Sequence, residues 1–190
     1  MSSTMLTSVA DYLSQERESQ SKHEWIEGEL REMVGASTNH NLLSWNIAGI
    51  LHRLLAGTDF VAFPSDMKVR IPERAYYYPD VTIAPFPPRL EDDSHDTLLN
   101  PLVVFEVLSP STEAIDRGEK LHNYSRIPTL TDYLLVSQDE VRVDHYRRKS
   151  ENGWNLQMQT ATEETVTLAE PACELSLAEI YTRIEFRNRS

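Results

Sequence analysis

Leu102-Val103-Val104-Phe105-Glu106-Val107-Leu108 is an apolar run opened by Pro101 and interrupted by a single carboxylate. Its length and its β-branched and aromatic content read as a central strand buried on both faces. An ionised Glu106 in such a strand costs on the order of several kcal/mol unless a cation, a metal or hydrogen bonds compensate it. Upstream, Asp80 heads a second strand-like segment, Val81-Thr82-Ile83-Ala84. Two acids at the ends of neighbouring core strands form a cradle for a hard divalent cation.

Working outward, the apolar periodicity predicts a short amphipathic helix over 7–20 with Val9, Tyr12 and Leu13 as its stripe. Alternation from Trp25 to Val34 around Glu27-Gly28 predicts a hairpin. Ser37 or Thr38 then caps a helix whose apolar residues recur from Leu42 to Leu55, with Gly57 ending it. Strands are expected over about 60–71 and 76–84, with a proline-rich surface loop from Pro85 to Asp96 before the Glu106 strand. Asp116 and Glu119 have capping-box spacing and open a helix to about Arg126, where Pro128 stops it. Asp132–Val136, Val141–Arg147 and Trp154–Thr160 read as strands, the last two joined through Asn152-Gly153. A final helix begins at Ser176, again with box spacing to Glu179. The short link between the two acidic strands makes them antiparallel neighbours, and the helix after Glu106 implies a right-handed crossover to a parallel strand. The expected fold is α/β, a mixed sheet flanked by helices.

The chain has 190 residues, which suits one domain, with a core over about 20–150 and C-terminal strands and a helix in 151–190. Met1-Ser2-Ser3-Thr4-Met5-Leu6 has no signal-peptide character, and a cytoplasmic location is expected. Cys173 is the one cysteine, which excludes a disulfide framework and a cysteine-based zinc site. The net charge of −12 argues against a broad cationic face for nucleic acid, so any such partner needs the basic residues gathered on one side. His23, His52, His95, His122 and His145 lack metal-ligand spacing.

Lys120 flanks the stripe made by Leu121 and Tyr124 on the helix after Glu106, so its ammonium can reach over the sheet toward the carboxylates. Acid, acid and lysine around a metal is the equipment of phosphodiester hydrolysis: the metal acidifies water and polarises the phosphoryl oxygen, and the lysine assists or neutralises. Several readings remain open. Glu106 is a metal ligand or half of a buried ion pair with Arg117 or Lys120; Asp80 is its partner or a strand-entry residue; Lys120 is catalytic or solvated. Glu29 points at the site or at solvent. His40, in the first turn of the long helix, touches substrate phosphate or merely starts the helix. Ser109-Pro110-Ser111-Thr112 offers hydroxyls to phosphate or forms a helix-entry turn.

Tyr78-Pro79-Asp80-Val81, Phe105-Glu106-Val107-Leu108-Ser109-Pro110-Ser111-Thr112, Asp116-Arg117-Gly118-Glu119-Lys120 and Tyr124-Ser125-Arg126-Ile127-Pro128 resemble the Uma-two family. Glu24-Trp25-Ile26-Glu27-Gly28-Glu29 and Asn39-His40-Asn41 extend the resemblance to roughly residues 20–150. That family is assigned as restriction endonucleases of the PD-(D/E)XK nuclease superfamily. The resemblance implies a restriction-endonuclease-like fold and a Mg²⁺- or Mn²⁺-dependent endonuclease acting on DNA. Asp80 and Glu106 then match the motif acids, and the backbone carbonyl of Val107 completes the metal shell. Leu108 departs from the lysine expected two residues after the acid, and Lys120 is the implied substitute. A homodimer would suit double-strand cleavage. Two other classes stay open: a catalytically weak nucleic-acid- or protein-binding module on the same fold, and a phosphoesterase on a smaller substrate.

Overall fold

The computed structural model describes residues 6–150 and 153–186. Helix α1 (Val9–Glu18) is followed by the hairpin strands β1 (His23–Ile26) and β2 (Glu29–Glu32), then the long helix α2 (Thr38–Leu55). Strands β3 (Phe60–Pro64), β4 (Lys68–Ile71), β5 (Ala75–Tyr77), β6 (Val81–Pro85) and β7 (Thr97–Leu98) lead to β8 (Val103–Leu108). A helical segment follows, made of α3 (Glu113–Ile115), a π turn (Asp116–Lys120) and α4 (Leu121–Tyr124). Strands β9 (Asp132–Ser137), β10 (Val143–Ser150), β11 (Gly153–Gln159), β12 (Thr165–Leu168) and β13 (Cys173–Ser176) precede helix α5 (Leu177–Ile180).

The main sheet has the order β11-β10-β9-β8-β6-β3, with β8 central as its apolar run requires. Strand β8 is antiparallel to β6 and parallel to β9, which confirms the mixed α/β sheet. Every side chain of β8 is buried, so neither face is left to water. Alternation along the strand divides the core. Val103, Phe105 and Val107 join the cluster under α2 and α5, while Val104 and Leu108 join the cluster on the other side with Tyr124, Tyr133 and the second sheet. Glu106 shares the face of Val104 and Leu108, so it looks toward α4.

The second sheet, β2-β1-β5-β4-β7, explains the two departures that matter for the site. The strands expected over 60–71 and 76–84 are each broken in two, because the chain passes from one sheet to the other. One break lies at Ser65-Asp66-Met67 and the other at Tyr78-Pro79-Asp80. The strands on both sides of each break carry β-formers, Val69 and Ile71 in β4 and Tyr76 and Tyr77 in β5, so each pair reads as one strand in the sequence. Asp80 therefore stands at the seam between the sheets.

The capping boxes are also corrected. Asp116 does not open a helix: α3 has already begun, and the buried Asp116 carboxylate is turned toward Lys120. Ser176 precedes α5 without a side-chain cap bond, and Glu179 pairs with Arg53 instead. The α2 cap is as expected, Ser37 Oγ accepting from the His40 N–H. The Glu27-Gly28 hairpin turn is also present, with both residues at positive φ. Of the Asn152-Gly153 link, Asn152 lies outside the described residues.

Candidate functional site

The site lies where the second sheet, the end of β8 and the start of α2 meet, and opens into a cavity of about 550 Å³. Glu24, His40, Asp80, Glu106, Ser109 and Lys120 all line it. Asp80 Oδ2 accepts from the Val107 N–H at 2.7 Å. Since the amide and carbonyl of one residue in a strand point to the same side, the Val107 carbonyl also faces the end of β6, where Asp80 stands. His40 Nε2 lies 3.3 Å from Asp80 Oδ1. Burial opposes the charged imidazole, but the Asp80 carboxylate outweighs it and raises the His40 pKa above its ordinary value.

Lys120 is the second focus. Its ammonium lies 3.2 Å from Glu106 Oε1, 2.9 Å from Glu24 Oε1 and 3.4 Å from Asp116 Oδ1. Tyr77 presents its ring to the same ammonium at 5.3 Å, and Tyr124 Oη donates to Glu106 Oε1 at 3.1 Å. Glu24, Glu106, Asp116 and Lys120 are all buried. Three carboxylates thus surround one ammonium in low dielectric. Burial alone would lower the Lys120 pKa, but Glu106, Glu24 and Asp116 carry it well above the ordinary lysine value. Burial raises Glu106 well above the carboxylate range, against Lys120 and with help from Asp116, Asp80 and Glu24.

The ion pair open for Glu106 in the sequence is therefore present, with Lys120. Arg117 is spent elsewhere, on Asp144 and Glu113. Asp80 and Glu106 are brought to one cavity, but the Lys120 ammonium is directed at Glu106. Ser109 Oγ contacts the hydroxyls of Ser111 and Thr112 and accepts from the Thr112 N–H, forming the turn that begins α3 at the cavity edge. Glu29 stands apart: it is exposed and lines a separate cavity with Ile26, Arg31 and Glu119. The hairpin supplies Glu24 instead. The sequence carries only a faint signal for either: Glu24 is an acid between the apolar-patterned residues of a strand, and Asp116 an acid four residues before Lys120 on a helical face.

Among the described residues, no three His, Cys, Asp or Glu side chains stand where they could share a metal ion as placed. The chemistry of the donors nevertheless fits a divalent cation. The cavity has a surplus of buried carboxylate over ammonium, and Glu24 Oε1 and Asp116 Oδ1 make no aligned hydrogen bond despite their closeness to Lys120. Asp80 and Glu106 are oxygen donors of the hard type that Mg²⁺ and Mn²⁺ prefer.

The order of the main sheet, with β8 antiparallel to β6 and parallel to β9, is that of a restriction-endonuclease-like α/β fold. The family model described as "Putative restriction endonuclease" matches residues 9–178, and the chain belongs to this Uma2 family. Two relatives from Synechocystis sp. are "Uncharacterized protein sll1609", 36% identical over 82% of this chain and 89% of its own, and "Uncharacterized protein slr1290", 37% identical over 77% of each. The fold is also that of a crystal structure described as "a putative nuclease belonging to DUF820 from Anabaena variabilis". That structure has a TM-score of 0.73 at 15% identity and covers 93% of this chain and 98% of that one. No helix among the described residues is long and apolar enough to cross a membrane.

Proposed function

We infer that the protein is a divalent-metal-dependent endonuclease that hydrolyses DNA phosphodiester bonds. The observation that carries this reading is the meeting of Asp80, Glu106 and Lys120 in one cavity at the seam of the two sheets. Asp80, Glu106 and the Val107 carbonyl would hold Mg²⁺ or Mn²⁺. When bound, the cation polarises the phosphoryl oxygen and makes the attacking water more acidic.

The chain's own groups do the rest. The Val107 amide fixes the Asp80 carboxylate, leaving Oδ1 toward His40 and the cavity. Glu106 is oriented by Tyr124 and Lys120 on one oxygen, Oε1, which leaves Oε2 for a ligand. Lys120, kept protonated by three carboxylates, supplies positive charge to offset the charge that develops on the phosphoryl oxygens. Leu108 cannot do this, since its side chain is buried with the core cluster against Tyr124 and Leu135.

A phosphoesterase on a smaller substrate is the second reading, favoured by the pairing of the basic residues. Arg17, Lys68, Arg70, Arg117, Arg142 and Arg147 each lie against a carboxylate rather than forming an open cationic track. A substrate panel separates the two. Purified protein with Mg²⁺, Mn²⁺ or EDTA is offered supercoiled plasmid, linear single-stranded DNA, RNA and a small phosphodiester. Metal-dependent cutting of DNA supports the first reading; turnover of the small ester alone supports the second.

A further inference from the structure

A second cavity, of about 690 Å³, adjoins the first and shares Asn41, Ser44, Ser65 and Asp80 with it. Its walls are mainly aromatic and aliphatic, with His52 and Thr58 among them. Trp45 on α2 is 76% exposed and Phe86, just after β6, is 65% exposed. Neither ring meets another described aromatic ring, and neither lies under a described cation. The Phe86 backbone is held by its N–H to Asp59 O, which sets the ring beside the edge strand β3.

The floor carries an independent sign. Gly49 lies in the interior of α2, one turn from Trp45, where glycine costs about 1 kcal/mol relative to alanine. A Cβ built there meets nothing within 4 Å, so packing within the chain does not require glycine. The space above it belongs to the groove. A largely apolar groove with free ring faces, continuous with the acid that would hold the cation, has the chemistry that accepts a nucleobase.

Resting on the nuclease reading, we propose that the groove lined by Trp45 and Phe86 stacks an unpaired base next to the phosphate that meets the cation at Asp80, so that single-stranded or unpaired DNA is the preferred substrate. Stacking tolerates any base because each has a π face, and it needs no basic track. It thus supplies affinity to a chain of net charge −12 in which Arg17, Arg70, Arg117, Arg142 and Arg147 lie against carboxylates.

The test uses the full chain in Ca²⁺, titrated with a single-stranded oligodeoxynucleotide, with the blunt duplex of the same sequence and with inorganic phosphate. Trp45 is the reporter: Trp25 is buried and donates to Thr7 O, and Trp154 is stacked under Arg148. The expected result is quenching by the single strand, with affinity about ten-fold or more above that of the duplex. Trp45→Ala and Gly49→Leu should each weaken single-strand binding by roughly ten-fold. The unfolding midpoint of Gly49→Leu should stay at or above the native value. Equal affinity for duplex, or unchanged binding in both variants, would overturn the proposal. So would a native dimer that Gly49→Leu splits, which would make the groove a face for a second copy. If the variants bind and cut like the native chain while Asp80→Asn stops cutting, the groove falls and the nuclease reading stands. If the native chain neither binds nor cuts DNA, both fall.

Discussion

The Lys120 ammonium sits 3.2 Å from Glu106 Oε1, with both side chains inside the protein, although one residue comes from the middle of a sheet and the other from a π turn. The pair is not neutral, because Glu24 and Asp116 crowd the same ammonium. That imbalance governs both stability and cation binding.

Removing the ammonium should be far more damaging than removing one carboxylate. Lys120→Met leaves Glu106 and Asp116 buried without a counter-charge, and Glu24 with only Arg31 at 3.9 Å, and should cost about 3–5 kcal/mol in urea unfolding. Glu106→Gln keeps the shape, keeps a group that Tyr124 can donate to and relieves the excess charge. Its cost should be under about half of that. Equal losses would mean that the acids are not competing for Lys120.

Divalent cation should stabilise the folded chain by linkage. At a concentration one hundred times Kd, Mg²⁺ or Mn²⁺ should contribute about 2.7 kcal/mol, read as a rise in Tm. Asp80→Asn and Glu106→Gln should abolish the rise. A rise retained in both variants would place the cation elsewhere.

Salt should matter little for DNA affinity. Each phosphate neutralised by a free cation adds about one unit to the slope of log affinity against log salt. With Arg17, Arg31, Arg70, Arg117, Arg142 and Arg147 already against carboxylates, a slope no steeper than about −2 is expected in an anisotropy titration across salt. A slope of about −5 or steeper would reveal a cationic track and remove the need for stacking.

Acid should weaken the clamp between α1 and the β7 strand. Asp96 lies 2.9 Å from both Arg17 and Lys68, and although burial works against its charged form, these partners hold its pKa below the ordinary range. A depressed folded pKa contributes stability that is fully present above the unfolded value and is lost as pH falls through the folded one. Asp96→Asn should therefore be less stable than the native chain at pH 7, and the gap should shrink below about pH 4. Urea midpoints at the two pH values decide it; a constant gap contradicts the assignment.

Two glycines should respond with opposite sign. Gly28 has φ +99° in the hairpin turn, and a Cβ there would lie 2.8 Å from Leu6 Cβ. Gly28→Ala should cost more than about 1 kcal/mol, loosening the hairpin that delivers Glu24. Gly49→Ala, in an open stretch of helix, should gain up to about 1 kcal/mol. Thermal unfolding of the two variants side by side is the check.

Much of the fold was legible because burial leaves a mark on sequence. The β8 run, apolar but for Glu106, declared a two-sided core, and the α2 periodicity and its Ser37 cap declared a helix. The breaks at residues 65–67 and 78–80 were not read, since β-forming residues stand on both sides of each and a sheet-to-sheet crease is set by packing rather than by pattern. Asp116 spacing mimicked a capping box because i, i+3 and i, i+4 pairs share a helical face, and the sequence does not say whether that face looks at solvent or at a buried lysine. Glu24 was hidden for the same reason: alternation places an acid on one side of a hairpin, but only the docking of the second sheet on the first decides what that side meets. The neighbouring apolar groove was invisible, because Trp45, Gly49 and Phe86 come together only through the packing of α2 on β3.

The most direct measurement is nicking of supercoiled plasmid by the native chain in Mg²⁺, Mn²⁺ and EDTA, beside Asp80→Asn and Glu106→Gln proteins whose folding is verified by circular dichroism. Nicking should need the cation and fall at least about 100-fold in both variants. Cutting that survives EDTA, or that persists in folded Asp80→Asn and Glu106→Gln, would contradict a metal-dependent nuclease centred on these two acids.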